Sequence, residues 1–319
     1  MAYPFLLRAF HSVVLPSGSA SSAPRYVGAA AILALAFAMP LSGLFFAYRF
    51  SRLDFSRANL RARRLAFLSI TAPPLFVFVG VAPGLVGLHP PEAALWIGIW
   101  LLAALYGISD SGAGSQTNVE APPSRWRVTH GISGALILCF VLFHLTNHLF
   151  GLIGPDVHAT VMHIGRKIYR STFIEPVLVL LLLFQVASGL RLAWRWSGLN
   201  NDVHRIFQIG SGVYLSVYIV THLNSALISA RAVHHIDTNW DWASGAPVGL
   251  IHDAWDIRLL PHYALGVFFI VGHLFSALRI VMLAHGCRVA IANRIWIAGL
   301  GAGAVLAATI IGALCGLRI

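Results

Sequence analysis

Apolar residues run in long unbroken stretches along this chain, separated by short polar turns, and they do not alternate with polar ones as in a porin strand. A helix crossing a bilayer core needs about 20 mostly apolar residues. Eight stretches fit: 26–48, 65–85, 91–108, 128–153, 173–194, 206–230, 261–284 and 291–317. The third is short enough to be re-entrant. The pattern predicts an all-α polytopic membrane protein of about eight transmembrane helices. The polar stretch 109–124, with its Gly, Ser and paired prolines, reads as a linker. It divides an N-terminal segment of three spans (1–124) from a C-terminal bundle of five (125–319).

Composition sharpens this picture. The 319 residues are 58% hydrophobic and 10% charged, whereas about a quarter of a soluble chain is charged. Three cysteines, Cys139, Cys287 and Cys315, are an odd number without paired spacing. They read as small apolar fillers, which excludes a disulfide scaffold. The net charge of +11 comes almost wholly from Arg at the ends of apolar runs. Such placement is a topology signal and gives no case for nucleic acid as a partner.

The largest basic cluster, Arg49, Arg52, Arg57, Arg61, Arg63 and Arg64, follows the first span and should be cytoplasmic. Arg125 and Arg127, Arg195 and Arg205, and Arg288 and Arg294 then also fall inside. The acidic loop with Asp237, Asp241, Asp253 and Asp256 falls outside. Both termini are expected outside, in a bacterial cytoplasmic (inner) membrane. Arg166, Lys167 and Arg170 break the rule, since their loop would lie outside. Pro4 and Pro24 interrupt the first residues, so no cleaved signal peptide is expected.

The chemistry is expected at histidine. There are 15, more than the 11 acids, and several lie within apolar runs. An ionisable residue in a membrane core is costly and marks function. His144 and His222 each lie 16 residues beyond the inner start of their span. At about 1.5 Å rise per residue they sit at one height. Two imidazoles at one height on neighbouring helices can ligate a heme iron from both sides. His148, one turn beyond His144, is its rival or a neighbouring contact. In the antiparallel spans His273 and Gln185 share a depth, and Gln is a poor iron ligand. A competing arrangement pairs His130 with His204 as an inner site below the outer one, since His130 and His144 fall nearly on one helix face.

These residues carry a resemblance. Arg127-Val-Thr-His130-Gly-Ile-Ser-Gly134, followed by Phe143-His144-Leu145, resembles the first helix of the cytochrome b membrane-anchor subunit of succinate dehydrogenases and fumarate reductases, in its single-polypeptide, five-helix form. Phe207-Gln208-Ile-Gly210 leading to Thr221-His222 is similar to the fourth helix, and Gly266 leading to His273 to the fifth. His163 falls where the family has an outer-loop His. The likeness covers roughly 125–318 and leaves 1–124 without a counterpart. It implies a five-helix heme-binding bundle with His144 and His222 as axial ligands of heme b. His273, His130, His148, Arg127 and His204 are further cofactor contacts. One heme is favoured and two is the alternative, because the family's second-helix ligand falls on Gln185. The resemblance further implies an anchor subunit of a quinone oxidoreductase, with quinone as substrate. A flavoprotein and an iron–sulfur subunit would dock on its cytoplasmic face.

Other features carry plainer readings. His234, His235, Trp240, Trp242, His252 and Trp255 with the loop acids read as interfacial anchoring, a cap over the outer site, or an outward metal site. Arg191, Arg195 and Arg205 with Arg127 make a basic rim for propionate, anionic lipid or a partner. Glu175 and Asp156 suit helix starts or a proton relay. The competing functions are a stand-alone protein using the same His for proton relay or metal ion transport, and a heme-free structural anchor.

Overall fold

The computed structural model describes residues 1–14, 23–54, 56–109 and 122–319, so most of the expected linker, 110–121, lies outside the described residues. Every regular element among them is helical. The helices are α1 (Tyr3–Val14), α2 (Ala23–Ser51), α3 (Arg57–Ile70), α4 (Ala72–Leu85), α5 (Glu92–Ile108), α6 (Ser124–Phe150), α7 (Pro155–Tyr169), α8 (Ile174–Trp196), α9 (Val203–Leu223), α10 (Trp240–Ser244), α11 (Leu259–Ala284) and α12 (Val289–Leu314). α9 runs directly into a π-helical stretch, Asn224–Val233. Among the described residues six helices are long and apolar enough to cross a membrane, or seven spans if the bent pair α3–α4 counts as one. This is a polytopic helical membrane protein.

Two of the eight expected spans differ from a simple crossing. The run 65–85 breaks at Thr71, and its halves meet at 66°. Pro73 and Pro74 fall in the first turn of α4. There they lack the N–H that would extend the ladder back into α3. The run 91–108 forms α5, which at 17 residues is shorter than the others.

Local signals set the ends elsewhere. Ser56 and Asp202 accept hydrogen bonds from the backbone N–H of Asn59 (3.0 Å) and Arg205 (2.8 Å), capping α3 and α9. Gly286 (φ 79°) and Gly316 (φ 101°) take the left-handed conformation that closes α11 and α12.

The N-terminal helices pack into the rest of the chain. Phe67 and Ile70 of α3 share one buried core with Ile206, Phe207 and Tyr214 of α9 and Phe269 of α11. The Thr221 hydroxyl donates to the Pro74 carbonyl at 3.1 Å. Glu92 of α5 takes both guanidinium nitrogens of Arg258, at 2.8 and 3.1 Å, beside the start of α11. Arg63 is 2% exposed. It donates to the carbonyls of Ser197 (2.8 Å), Leu199 (2.6 Å) and Phe50 (3.1 Å). Those carbonyls lie at the ends of α8 and α2, where the last turns have no partner within the helix.

The opposite end of the bundle is closed by α7, α10 and their loops. Trp240 of α10 is buried at 4% exposure and its ring lies 4.8 Å from that of His158 on α7. Arg166 donates to Asp237 (2.8 Å) and to the Thr238 carbonyl (3.0 Å), and Arg170 to the Thr238 hydroxyl (2.7 Å). Arg231 grips Glu175 through both nitrogens. Two of the three basic residues that break the charge rule, Arg166 and Arg170, therefore tie the cap together, a role that competes with their value as topology markers.

Replacing Arg63 tests this packing. Arg63→Ala takes the guanidinium from the Ser197 and Phe50 carbonyls and leaves the Leu199 carbonyl to the Asn201 amide alone (2.8 Å), and should cost about 3 kcal/mol. A fall in the melting temperature of the detergent-purified protein reads it. Arg63→Lys should recover less than half, because one ammonium cannot span three carbonyls in two directions.

Candidate functional site

α6 packs closely against α7, α8 and α12 but has no comparable backbone packing with α9 or α11. Imidazole rings meet across the interval. His144 of α6 and His222 of α9 lie with ring centroids 6.0 Å apart and planes at 74°. Nearer the Arg-rich end, His130 of α6 and His273 of α11 lie 6.4 Å apart with planes at 82°. All four rings are half-buried. One helix thus supplies a member to each pair, because 14 residues is close to four turns and returns the side chain to nearly the same face.

The expected equal height of His144 and His222 is realised as direct juxtaposition. Gln185, which shares a depth with His273 along the sequence, is engaged elsewhere. Gln185 donates through its amide to the His130 carbonyl (2.8 Å) and to the Ser133 hydroxyl (2.6 Å), which fastens α8 to α6. His273 faces His130 instead. The alternative pairing of His130 with His204 also does not occur. His204 lies against Trp296, with centroids 4.7 Å apart, and 3.6 Å from Asp202. It borders a cavity of about 360 Å³ with Arg205, Gln208 and Arg279. Arg127 is exposed near the start of α6, one turn before His130. His163 is exposed on α7.

Sequence reasoning missed the hydroxyls beside the inner pair. Ser188 Oγ lies 2.8 Å from His130 Nδ1, and Ser211 Oγ lies 2.9 Å from His273 Nδ1. It also missed two glycines. A Cβ on Gly189 would come within 3.3 Å of His130 Cε1, and one on Gly212 within 3.2 Å of His273 Cε1. A side chain at either position would crowd the ring. Small residues placed one helix away leave no periodic signature, so only the assembled bundle reveals them.

Beyond the outer pair the rings continue. His148 lies edge-on to His144 (4.8 Å) and near His158 (5.5 Å). Asn147 bonds His158 Nε2 at 3.0 Å. On the other side Tyr218 stacks on His222 (5.7 Å, 7°) and on His262 (4.5 Å). A cavity of about 280 Å³ opens here, lined by His222, His262, Ser225, Asp241, Asp256 and, from α4, Val77 and Val81. His262 is 2% exposed and its Nδ1 has no partner. The π-helical run starts two residues after His222 and turns Ser225 and Ser229 into this cavity's wall.

A heme iron takes four ligands from its porphyrin and needs two from protein. Imidazole–metal bonds of about 2 Å on opposite sides of one metal put the ring centroids roughly 6 Å apart. Both pairs match that span. Their helices leave an interval there, and small residues line part of it. The residues present fit the group. Among the described residues no group of three or more His, Cys, Asp or Glu is placed to hold a metal by itself. The His- and Asp-rich loop instead forms the cap, with His234, His235 and His252 exposed.

On α7, outside the spans, burial and then the neighbouring Arg166 hold the His158 imidazole down at about 4. The unfolded chain, with a normal imidazole near 6.5, binds more protons between these values. Cap stability is therefore full above pH 6.5 and falls as pH drops toward 4. A melting curve series from pH 7 to 5 should show this decline, and His158→Gln should flatten it.

Comparison of the chain with protein-family models, with curated proteins and with solved structures finds no match.

Proposed function

We propose that this protein is a membrane-embedded cytochrome b that carries electrons between a partner's iron–sulfur centre and membrane quinone. His144 and His222 would hold the iron of heme b. The observation that carries this reading is their 6.0 Å separation across an interval that α6 and α9 do not fill with backbone packing. When bound, such a group supplies one-electron transfer. The chain's own part is to hold the two rings at fixed separation, to shield them from water, and to cap the site with Trp240 and the His158–Asn147 contact. His148 lies against the ligand ring and supports its orientation.

A quinol gives up two electrons and two protons. The cavity beside His222 offers groups for both parts of that exchange. The ring of His222, with Tyr218 stacked behind it, lies on one side, and His262, Asp241 and Asp256 stand where protons can be received. A cavity of about 280 Å³ accommodates a quinone headgroup. The flavoprotein and iron–sulfur partners rest on the resemblance around Arg127 and His130. The basic rim offers an acidic partner a docking face. There Arg191 covers Trp126 (4.5 Å) and Arg205 covers Trp196 (4.2 Å).

The purified protein should show the sharp reduced-minus-oxidised visible bands of bis-histidine heme b. His144→Ala and His222→Ala should each remove one heme equivalent per chain, read by the pyridine hemochrome assay. Heme content unchanged in both variants would refute the ligand assignment. Protein with no heme at all would leave the histidines as a proton relay or the chain as a plain anchor. Co-purification of flavin and iron–sulfur chains tests the anchor role separately.

A further inference from the structure

At the Arg-rich end of the bundle, the cavity of about 360 Å³ lies where the α8–α9 turn meets the last turns of α11. Two half-buried arginines stand on its wall, Arg205 from α9 and Arg279 from α11. Arg205 gives Nη1 to Gln208 and lies over the Trp196 ring at 4.2 Å. Arg279 gives Nε to Asn293 at 2.8 Å. Among the described residues neither guanidinium is in an ion pair, and both Nη atoms of Arg279 have no hydrogen-bond acceptor. The acid on the wall is Asp202, which is exposed and caps α9 through the Arg205 N–H. It offsets part of the positive charge, but Arg279 and Arg127 of α6 are both near enough to repel Arg205. His204 Nδ1, on the same wall, is buried without a hydrogen-bond partner among the described residues. Like charges gathered beside a space repel one another until an anion is shared between them.

We propose that this cavity holds the phosphate of an anionic membrane phospholipid, bridged between Arg205 and Arg279. The site is independent of the heme reading given above. A guanidinium presents its N–H groups in a fork that matches the oxygens of a phosphate. Basic pockets between spanning helices at a membrane face bind anionic headgroups. The depth of the cavity fits such a ligand. Trp126 near the start of α6, and Trp194 and Trp196 at the end of α8, lie at this same end of the bundle. Indole rings favour the headgroup level of a bilayer. The volume accommodates a phosphate together with the glycerol it is esterified to.

The wall also distinguishes a lipid from a free phosphate ion. Ile280 lines the cavity and is exposed, and Ala277, one turn deeper on α11, is exposed as well. Residues three apart on a helix are neighbours on its surface. The two make an apolar track that leads from the arginines toward the middle of the membrane. Acyl chains attached to the bound phosphate can lie along it, whereas a free ion gains nothing from it. The bound headgroup ties the start of α9 to the end of α11.

Native mass spectrometry of the detergent-purified full-length protein, titrated with phosphatidylglycerol or with phosphatidylcholine, tests the site. The wild-type protein should retain phosphatidylglycerol in preference to phosphatidylcholine. Arg205→Gln and Arg279→Gln should each weaken that retention about tenfold, the worth of one charge-assisted contact. Arg279→Lys keeps the charge without the fork and should fall between. Arg288→Gln, at an exposed arginine that is not on the cavity wall, should leave retention unchanged. Inorganic phosphate at matched ionic strength should raise the melting temperature less than phosphatidylglycerol does. Equal retention of the two lipids by wild-type protein overturns the proposal, and this measurement stands even where a variant fails to fold. An equal loss in Arg288→Gln overturns it too, by showing attraction to general surface charge. Stabilisation by inorganic phosphate as large as that by phosphatidylglycerol assigns the cavity to a free anion and overturns the lipid.

Discussion

An imidazole inside a lipid-embedded bundle has two nitrogens to satisfy and no water to satisfy them with. That constraint organises the centre of this protein. Each ring of the inner pair has its Nδ1 within hydrogen-bond distance of a serine hydroxyl that also donates to a backbone carbonyl. α6 leans on α7, α8 and α12, and it keeps its distance from the two helices that carry the opposing rings. Close packing of α6 onto α9 would have buried more apolar surface, yet it would have left no room between the imidazoles.

The surrounding structure protects that interval. At one end Arg63 and the α8–α9 turn lock the N-terminal helices to the bundle. At the other, Trp240 and the Arg166–Asp237 and Arg231–Glu175 contacts hold the cap over the outer pair. The N-terminal helices do more than fill space. Val77 and Val81 of α4 form part of the cavity wall beside His222, so the extra spans contribute to the environment of the outer site.

Much of this was legible in the chain itself, and the limits have physical causes. Continuous apolar runs fixed the helical class and most span positions, because the bilayer sets a length that composition must match. Thr71 escaped, since a bend at Pro73 interrupts geometry without interrupting apolarity. The equal depth of His144 and His222 could be counted along two parallel helices. The pairing of His130 with His273 could not. Their helices are antiparallel, and depth counted from Pro261 sets His273 level with Gln185 without saying which ring it faces. Rotation and tilt of α6, fixed by the Gln185 contacts, decide which ring faces which. The serines and glycines around the rings carry no pattern that one sequence displays.

The Arg63 clasp has a consequence for how the protein is made. Its carbonyl partners at Ser197 and Leu199 lie 134 and 136 residues further along the chain. A ribosome supplies the first helices to the membrane long before those partners emerge. Until then the guanidinium must stay hydrated at the lipid boundary, where an arginine side chain can snorkel. The N-terminal hairpin is therefore inserted early but seated late, and its docking reports that the α8–α9 turn has arrived.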